Sequence, residues 1–535
     1  MRPLRASTER EPRTRQHAGV LRSSHAWTCV AIAAVAVIAY APSFSVPFQF
    51  DDEARLTNNI ALQEGTLRDA LGWLGTSRVI PSLTLVLNYR LGGLDPLGYH
   101  IGNFIVHLLC AYGVLALGLT LCRTPRLARA WPPDRALVVA TAAGLFFVCH
   151  PLQTQAVTYV IQRSAAMAAL FYVSAVVCYL RGRIRQSLRP AQSGAPWLAA
   201  SAALAICAVL SKENAVSLPA ALLLAEWVGF GRPQRWRRIA AAAVAMLIVV
   251  AVPVLWKSVE WQPFTPAQSR MSLLARIGNA VFATAFGRSQ SRPGALAYLL
   301  TQATVLPRYL HLVVFPFGLN VDPDVPIASG LTVPVLAGAA FLAGLAALGV
   351  SQMRRRPLAA FGILWFFITL SVESTIIPID DVMVEQRMYL PMAGLAVSAG
   401  WMVAAGWFRV PRLTASLGAL LLGGLVALTF ARNLVWQTPI TLWLDAAEKS
   451  PEKLRPQVNL GAAYHNAGRL DEAVVHYCRA LALNPYDELA ADNLELALTQ
   501  LGRLETRQAG AAALPAPRAA DTVVLEKADL SAYCP

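Results

Sequence analysis

Three consecutive carboxylates, Asp51, Asp52 and Glu53, directly follow the first long apolar stretch of the sequence. A general base that activates a hydroxyl must be a carboxylate or a histidine within hydrogen-bonding distance of that hydroxyl. Adjacent carboxylates beside a low-dielectric wall raise each other's pKa values, which suits proton abstraction. Asp51, with Asp52 beside it, is therefore the first candidate for a catalytic base. A solvated acidic loop is the alternative interpretation.

A second charged cluster lies immediately before another apolar stretch. It contains Asp380 and Asp381, followed by Glu385 and Arg387. The planar, permanently charged guanidinium group of arginine suits the recognition of a phosphate or a carboxylate. The cluster therefore predicts an anion site, with Arg387 as its main donor and Asp381 and Glu385 as further site residues. A surface ion pair between Glu385 and Arg387 is the alternative interpretation.

Lys212 and Glu213 interrupt an apolar stretch where two helices of a hairpin are expected to turn. Ionisable residues at membrane depth are costly and commonly functional, although an ordinary polar turn has the same composition. Packed or interfacial roles are favoured over metal ligation for His100, His107 and His150. No metal-ligand set is predicted, but acidic pairs bind Mg²⁺ or Mn²⁺, so a divalent metal stays open.

The composition requires a lipid solvent around much of the chain. Of 535 residues, 56% are hydrophobic and 14% are charged, and the mean hydropathy is +0.47. These values are too apolar for a soluble globular chain of this length. The net charge of +15 comes from basic clusters between apolar stretches, a pattern typical of positive-inside topology and not of a nucleic-acid partner.

A helix needs about 20 apolar residues to span a bilayer. Candidate spans, about eleven in number, lie near residues 27–43, 100–121, 136–149, 164–180, 197–210, 215–229, 239–256, 331–350, 358–373, 389–406 and 413–431. Arginine clusters follow every second span and mark the cytoplasmic side, beginning with a basic N-terminus at 1–26. An odd number of spans then puts the C-terminal tail outside, together with loops 44–99, 257–330 and 374–388. These outer loops are where aqueous chemistry is expected.

The first apolar stretch and the cysteines each leave a choice. That stretch ends in Ala39, Tyr40 and Ala41, which fits a signal-peptidase site, but cleavage there would not change the orientation of the rest of the chain. The eight cysteines show no CxxC or paired spacing, so we interpret them as small membrane-core residues without a zinc site or a disulfide framework. They are Cys29, Cys110, Cys122, Cys149, Cys178, Cys207, Cys478 and Cys534.

Residues 453–486 carry a soluble amphipathic pattern that matches one tetratricopeptide (TPR) repeat. The signature positions are occupied by Leu460, Gly461, Tyr464, Ala473, Tyr477, Ala480 and Pro485. A shift of about 34 residues aligns Gly468 with Gly502, so a partial second repeat is expected within a TPR region at 436–507. Because so few repeats are seldom stable alone, we expect this region to dock on the membrane domain, 27–435, or on a partner. Residues 508–535 predict a disordered tail.

Taken in order, the motifs resemble one family, the transmembrane and TPR repeat-containing O-mannosyltransferases and their bacterial relatives. The resemblance covers nearly the whole chain, and no single motif is decisive. It rests on Phe50-Asp51-Asp52, Arg78, Asn88, Gly98-Tyr99-His100, Asn103, His107, His150-Pro151, Gln155-Ala156-Val157, Gln162-Arg163, Lys212-Glu213, Phe315-Pro316, Glu385, Arg387, Tyr389-Leu390-Pro391, Arg432-Asn433 and Trp436.

The resemblance implies an all-α polytopic membrane bundle of the C-type glycosyltransferase (GT-C) superfamily, with a short C-terminal TPR hairpin. It implies an inverting transfer of a sugar, mannose by analogy with the family alone, from a polyprenyl-phosphate donor to a hydroxyl. Asp51 and Asp52 match the acidic motif that acts on the acceptor hydroxyl. The matching donor-side residues are Arg387, Glu385, Arg163, Lys212, Glu213, Asp381 and His100. In this scheme Glu385 holds Arg387 in place.

The sequence departs from the family pattern at four points. Val79 replaces a frequent proline, Gln155 an acidic residue of the eukaryotic members, and Gln386 a frequent histidine. The TPR region is also much shorter than the eukaryotic arrays, which leaves open whether the acceptor is a protein, a glycan or a lipid. The short basic loops favour a bacterial inner membrane, with the site and the TPR on the periplasmic side.

Two other functions compete with a transferase whose acceptor is Ser or Thr of an extracytoplasmic protein docked by the TPR. A transporter or flippase fits the many spans, but neither internal repeats nor broken midplane helices are visible in the sequence. A non-catalytic anchor that presents the TPR would leave three charged outer clusters without a purpose. Asp51→Asn discriminates among the three, because only the enzyme should lose transfer activity while still folding.

Overall fold

The computed structural model describes residues 11–63, 78–188, 193–231, 294–374, 379–502 and Cys534. Over these residues the chain is all helical, which confirms the predicted fold class at that level. Its helices of ten residues or more are α1 (Glu11–Tyr40), α2 (Val79–Gly92), α3 (Pro96–Cys122), α4 (Pro133–Cys149), α5 (Arg163–Leu188), α6 (Ala195–Val209), α7 (Leu218–Phe230), α8 (Ala295–Val314), α9 (Val333–Gln352), α10 (Pro357–Leu370), α11 (Tyr389–Trp407), α12 (Pro411–Val435), α13 (Pro439–Lys449), α14 (Leu454–Asn466), α15 (Leu470–Leu483) and α16 (Glu488–Gln500).

Local sequence explains where several of these helices begin. Proline suits the first helical position, since its missing N–H has no intrahelical partner there. At Pro96 the side chain of Asp95 accepts a hydrogen bond from the N–H of Leu97 at 3.0 Å. At Pro439 the preceding residue, Thr438, forms a capping box with Thr441. Capped starts of this kind set the entry points of the chain into the bundle.

Six helical segments in the described part of the chain are long and apolar enough to cross a membrane: Ser24–Ser45, Pro96–Cys122, Val160–Leu188, Val333–Gln352, Glu385–Trp407 and Pro411–Val435. A seventh would be the pair Pro133–Cys149 and Pro151–Thr158, which is bent by 56°. Helices α6 and α10 are shorter apolar helices. The chain is an integral membrane protein. The expected span at 239–256 lies outside the described residues, so about eleven spans stays a prediction.

Small residues let the central helices approach closely, as in other membrane bundles. A Cβ atom at Gly400 of α11 would lie 2.1 Å from the carbonyl oxygen of Val139 in α4. A Cβ atom at Gly394 would lie 2.4 Å from the indole ring of Trp365 in α10. Helix α11 therefore packs closely against both α4 and α10.

The end of α1 is part of the core. Ala39 and Tyr40 are fully buried, and the Tyr40 ring lies 4.9 Å from the ring of His107 in α3. The side-chain amide of Asn433 donates to the carbonyl oxygen of Ala39 at 3.2 Å. Removal of this segment by a signal peptidase would therefore take core residues away, which favours its retention.

The expected outer loops contain more helix than the sequence suggested. Helix α2 lies within 44–99 and α8 within 257–330, while the segment 374–388 ends in a 3₁₀ turn, Glu385–Met388. The remainders at 64–77, 257–293 and 375–378 lie outside the described residues. Helices α2 and α8 contain internal polar residues and lack the apolar length of a span, so hydropathy alone does not distinguish them from loop.

The C-terminal region forms four further helices, α13 to α16. Helices α14 and α15 pack against each other where the repeat at 453–486 was expected, and a Cβ atom at Gly461 would lie 2.6 Å from the ring of Tyr477. Gly468 and Gly502, the two positions aligned by the repeat, both have positive φ, 74° and 66°. The TPR interpretation fits these observations and stays an interpretation. Residues 508–533 lie outside the described part of the chain.

The cysteine prediction is wrong for two residues. Cys478 in α15 forms a disulfide with Cys534, with the Cα atoms 5.4 Å apart and a sequence separation of 56. A separation of that size leaves no local spacing pattern from which a disulfide could be inferred. The other six cysteines are free.

Candidate active site

Asp51, Asp52 and Glu53 form an acidic run whose two aspartates lie in different environments. The side chain of Asp51 is exposed, whereas Asp52 is only 1% exposed. Carboxylate oxygens of Asp52 accept hydrogen bonds from the backbone N–H groups of Gln49 at 3.3 Å, Val160 at 3.3 Å and Ile161 at 2.9 Å. Asp52 therefore ties the acidic run to the segment before α5, whereas Asp51 is the aspartate that stays exposed.

The environment of Asp52 also shifts its acidity. Burial raises the pKa of Asp52 to about 7, although the three backbone N–H groups lower it, and the neighbouring charge of Asp51 raises it further. The expected mutual effect of the two carboxylates is thus present at Asp52, but burial is the larger cause. The oxygens of this carboxyl group are occupied by backbone N–H donors.

Phe50 precedes Asp51 and has a left-handed backbone, with φ of 54°. This conformation is strained for a residue other than glycine and costs about 1–3 kcal/mol. The Phe50 ring packs among Tyr159, Trp436 and Trp443, and the hydroxyl oxygen of Tyr159 accepts the backbone N–H of Asp51 at 3.1 Å. The surroundings therefore stabilise the strained turn that presents Asp51. Sequence reasoning missed Tyr159 and Trp443, for which no local signal exists.

Arg387 is buried at the start of α11, where its guanidinium group binds neutral oxygens. It donates to the carbonyl oxygen of Val382 at 2.9 Å, to the hydroxyl of Tyr298 at 3.4 Å and to the carbonyl oxygen of Asp381. Glu385 does not hold it in place as expected. Both side chains are buried, and Glu385 instead lies 3.8 Å from Arg432 of α12, since the 3₁₀ turn directs residues 385 and 387 to different sides.

Lys212 and Glu213 also separate. The ammonium group of Lys212 lies 2.7 Å from a carboxylate oxygen of Glu373, and both side chains are buried. Glu213 is half-buried and lies 3.5 Å from Arg78. Glu373 was missed by sequence reasoning, although its position as an acid at the end of an apolar run was a usable signal.

Tyr298 joins this pair to Arg387. Its hydroxyl donates to the backbone carbonyl oxygen of Glu373 at 2.6 Å and accepts from Arg387. The structure therefore brings Lys212 and Arg387 into one buried cluster with Glu373, and these three buried side chains of the described part of the chain carry two positive charges and one negative charge. An excess of buried positive charge is expected where an anion binds.

Arg163 forms a second buried cationic centre at the start of α5. It donates to the side chains of Asn103 at 2.5 Å, Asn88 at 2.6 Å and Thr84 at 3.1 Å, and to the carbonyl oxygen of Tyr99 at 2.8 Å. These four bonds use most of the five guanidinium N–H groups. Arg163 thus organises the wall beside Asp52, and the chemistry of its contacts is that of an anchor with little remaining donor capacity.

The histidines have packed roles, in agreement with the preferred interpretation. A ring nitrogen of His100 lies 2.8 Å from the carbonyl oxygen of Val46, just before the acidic run. His107 lies between the hydroxyl of Tyr389 and the carbonyl oxygen of Val148. In the part of the chain that the structure describes, no group of three His, Cys, Asp or Glu side chains is arranged to hold a metal ion.

Two of the departures from the family pattern meet in space. The backbone N–H of Gln386 donates to the side-chain oxygen of Gln155 at 3.0 Å. This bond connects the segment between α4 and α5, which clamps Asp52, to the turn that carries Arg387. The segment that binds Asp52 and the turn that carries Arg387 are therefore linked by a hydrogen bond.

The C-terminal helices contact the segment that contains Asp381, close to Arg387. Asp322 is buried and pairs with Lys453 at 2.6 Å and with Arg455, which also lies 2.6 Å from Asp381. Burial alone would lower the pKa of Arg455, but Asp322 and Asp381 outweigh it and raise that pKa above its usual value. Asp381 is thus a contact residue for α14, and these ion pairs join the C-terminal region to the membrane domain.

No protein-family model matches the chain. Among curated proteins, it is 24% identical over 526 residues to the protein O-mannosyl-transferase TMTC3 of Mus musculus, a match that covers 89% of this chain and 53% of that protein. It is 23% identical to Tmtc3 of Drosophila melanogaster, covering 92% of this chain and 59% of that protein. A shorter match, 30% identical over 214 residues, is to Tmtc2 of Drosophila melanogaster and covers 37% of this chain and 21% of that protein.

Among solved structures, the chain is similar to ArnT from Cupriavidus metallidurans bound to undecaprenyl phosphate. The sequence identity is 16%, the TM-score is 0.42, and the match covers 89% of this chain and 77% of that one. The chain spans about half the length of the TMTC3 proteins it matches. The family resemblance drawn from the motifs is confirmed, and the chain is a sequence relative of the protein O-mannosyl-transferases TMTC2, TMTC3 and TMTC4.

Proposed function

We propose that this chain is a membrane glycosyltransferase that moves a sugar from a polyprenyl-phosphate carrier to a hydroxyl acceptor. The observation that carries the proposal is that Asp51 and Asp52, adjacent in the acidic run, have different surroundings. Asp52 is buried and bound by backbone N–H groups, while Asp51 is exposed on a turn held by Tyr159. A base must reach the proton it removes and must be held in place. Asp51 meets both conditions.

In this proposal the carboxylate of Asp51 takes the proton of the acceptor hydroxyl as the oxygen attacks the anomeric carbon. The bond from that carbon to the carrier phosphate breaks, and the phosphate leaves with the electron pair. A single displacement of this kind inverts the anomeric configuration. Asp52 acts through Asp51, as a positioning group.

The departing phosphate needs positive charge where its negative charge develops. Arg387 and Lys212 supply it in the buried cluster, and Glu373 and Tyr298 hold them in register. Buried charge that exceeds its compensation is destabilising for a fold, so its presence favours a functional role over a structural one. Arg163, Glu213, Asp381, Glu385 and His100 then support the site through their contacts, with no direct contact to the donor required.

The donor sugar is proposed to be mannose and the acceptor a Ser or Thr of a protein, because the curated relatives are named protein O-mannosyl-transferases. The active site is proposed to lie on the non-cytoplasmic side, in a bacterial inner membrane at its periplasmic face. Disulfides persist in oxidising compartments. The Cys478–Cys534 disulfide lies in the C-terminal helices, and the first of these helices, α13, packs on Phe50 beside the acidic run, which supports that side.

The test is transfer of radiolabelled sugar from a panel of polyprenyl-phosphate donors into membrane protein. Wild type should incorporate label, and Asp51→Asn should lose at least about 100-fold in rate, as expected for removal of a general base. Glu53→Gln is the matched control, because Glu53 is an exposed acid only two residues from Asp51. No incorporation from any donor, or equal loss in the control, would contradict the proposal and would favour a transporter or an anchor.

A further inference from the structure

Phe50 is enclosed by aromatic rings from three separate parts of the chain. Ring centroids lie 5.4 Å away for Tyr159, 6.2 Å for Trp436 and 4.4 Å for Trp443. Tyr159 precedes α5 in the membrane domain, and Trp436 directly follows α12, the last apolar helix. Trp443 belongs to α13, the first helix of the C-terminal region. The nearest of the three rings therefore comes from outside the apolar bundle.

Helix α13 is itself fixed at two points. Asp445 lies 2.8 Å from Arg432 near the end of α12, and the ammonium group of Lys449 donates to the carbonyl oxygen of Leu319 at 2.8 Å. Trp443 precedes both attachments on the same helix and is 5% exposed. Because α13 is attached to Arg432 and Leu319, the position of the Trp443 ring does not depend on the acidic run, and the ring supports Phe50 from one side.

The contact with Trp443 is important because it restrains the backbone of Phe50. Phe50 has a φ of 54°, a conformation that a phenylalanine leaves unless its surroundings hold it. The next residue is Asp51, so a change of φ at Phe50 redirects the Asp51 side chain and breaks the bond from its N–H to Tyr159. Loss of the Trp443 ring would remove the nearest of the three rings that pack on Phe50.

We propose that Trp443 is a positioning residue for Asp51. By packing on Phe50, it holds the left-handed turn that presents the Asp51 carboxylate, and it makes the C-terminal helices part of the site. The proposal rests on the proposed function for what Asp51 does, but not for how the turn is held.

The first experiment needs no substrate. Hydrogen exchange is measured by mass spectrometry on the full chain in detergent, for peptides that cover residues 46–57. The amides of Asp51, Asp52 and Glu53 donate to Tyr159, Gln49 and Phe50, so wild type should protect them. Trp443→Ala should exchange there at least about tenfold faster, whereas Trp443→Phe should stay close to wild type because it keeps a ring. Leu444→Ala, at an exposed position of the same helix, is the matched control.

Peptides from 96–122 report on the fold of each variant, so general unfolding is recognised separately. Unchanged exchange at 46–57 in a folded Trp443→Ala protein would overturn the proposal. If Trp443→Ala does not fold, Trp443→Leu takes its place, because it removes the ring that packs on Phe50 but leaves a smaller cavity. Faster exchange at 46–57 in Trp443→Leu than in Trp443→Phe is then expected, and equal exchange in the two variants would overturn the proposal.

The second experiment uses the transfer assay. Trp443→Ala should lower kcat about tenfold or more with little change in the KM for the donor, and Trp443→Phe should restore most of it. Faster exchange without any transferase activity in wild type would leave the positioning role standing and overturn the proposed function. Loss of activity in Asp51→Asn but not in Trp443→Ala would support the proposed function and overturn the positioning role of Trp443.

Discussion

The ammonium group of Lys212 lies 2.7 Å from a carboxylate oxygen of Glu373. This pair joins the turn between α6 and α7 to the end of α10, and it replaces the sequence neighbours Lys212 and Glu213 as the charged unit of that turn. Asn214 donates to the second carboxylate oxygen at 3.4 Å. The buried cluster around Arg387 depends on this pair for its partial charge balance.

We expect Glu373→Gln to destabilise the protein by about 3–5 kcal/mol, because it leaves the buried ammonium group without its partner. Removal of both charges, in Lys212→Met with Glu373→Leu, should recover much of that loss but abolish donor binding. Thermal unfolding of the purified protein measures the first effect and donor affinity the second. Glu213→Gln, which alters a half-buried pair, should cost less than about 1 kcal/mol. Equal destabilisation by Glu213→Gln would contradict the assignment.

Asp52 should make stability fall as pH rises from about 4 to about 7. Its pKa is raised by burial to about 7 in the folded chain, so the folded state binds a proton that the unfolded state releases near pH 4. The contribution is complete below the unfolded pKa and is lost as pH passes the folded pKa, by up to about 4 kcal/mol. Unfolding temperatures of wild type and Asp52→Asn between pH 4 and pH 8 measure it. A difference between the two proteins that does not change with pH would be inconsistent with this assignment.

Arg455 should hold the C-terminal helices to the membrane domain. It pairs with the buried Asp322 and with Asp381, and charge-assisted bonds of this kind contribute about 1–3 kcal/mol. We expect Arg455→Ala to increase hydrogen exchange at residues 379–385. Arg469→Ala removes an exposed pair with Glu472 on the same set of helices and should leave that segment unchanged. Similar exchange in both variants would show that Arg455 does not dock α14.

The disulfide predicts a compartment as well as a connection. Digestion without reductant should yield one linked pair of peptides containing Cys478 and Cys534. After mild reduction of spheroplasts, a membrane-impermeant maleimide should label the half-buried Cys534 from outside, while buried Cys110 stays unlabelled. Cys478→Ser should lose the linkage and leave Cys534 reactive without reduction. Labelling only after the membrane is opened would place the C-terminal helices on the cytoplasmic side.

Local sequence determined much of the architecture. Apolar runs of sufficient length predicted the long apolar helices but not α2 and α8, and the prolines and caps at residues such as Pro96 and Thr438 determined where helices begin. The acidic run after the first apolar stretch identified Asp51 as a candidate base. These features are readable because each depends on residues close together in the chain.

Only the tertiary structure decided which charged groups act together. Asp52 differs from Asp51 because it binds the N–H groups of Val160 and Ile161, which are 108 and 109 residues away in sequence. Glu385 pairs with Arg432 and Lys212 with Glu373, and the Phe50 turn is completed by Trp443 from beyond the last apolar helix. Periodicity gives the buried face of a helix but not the helix that covers it. The partners of buried charges therefore follow from how the helices pack, which local sequence does not encode.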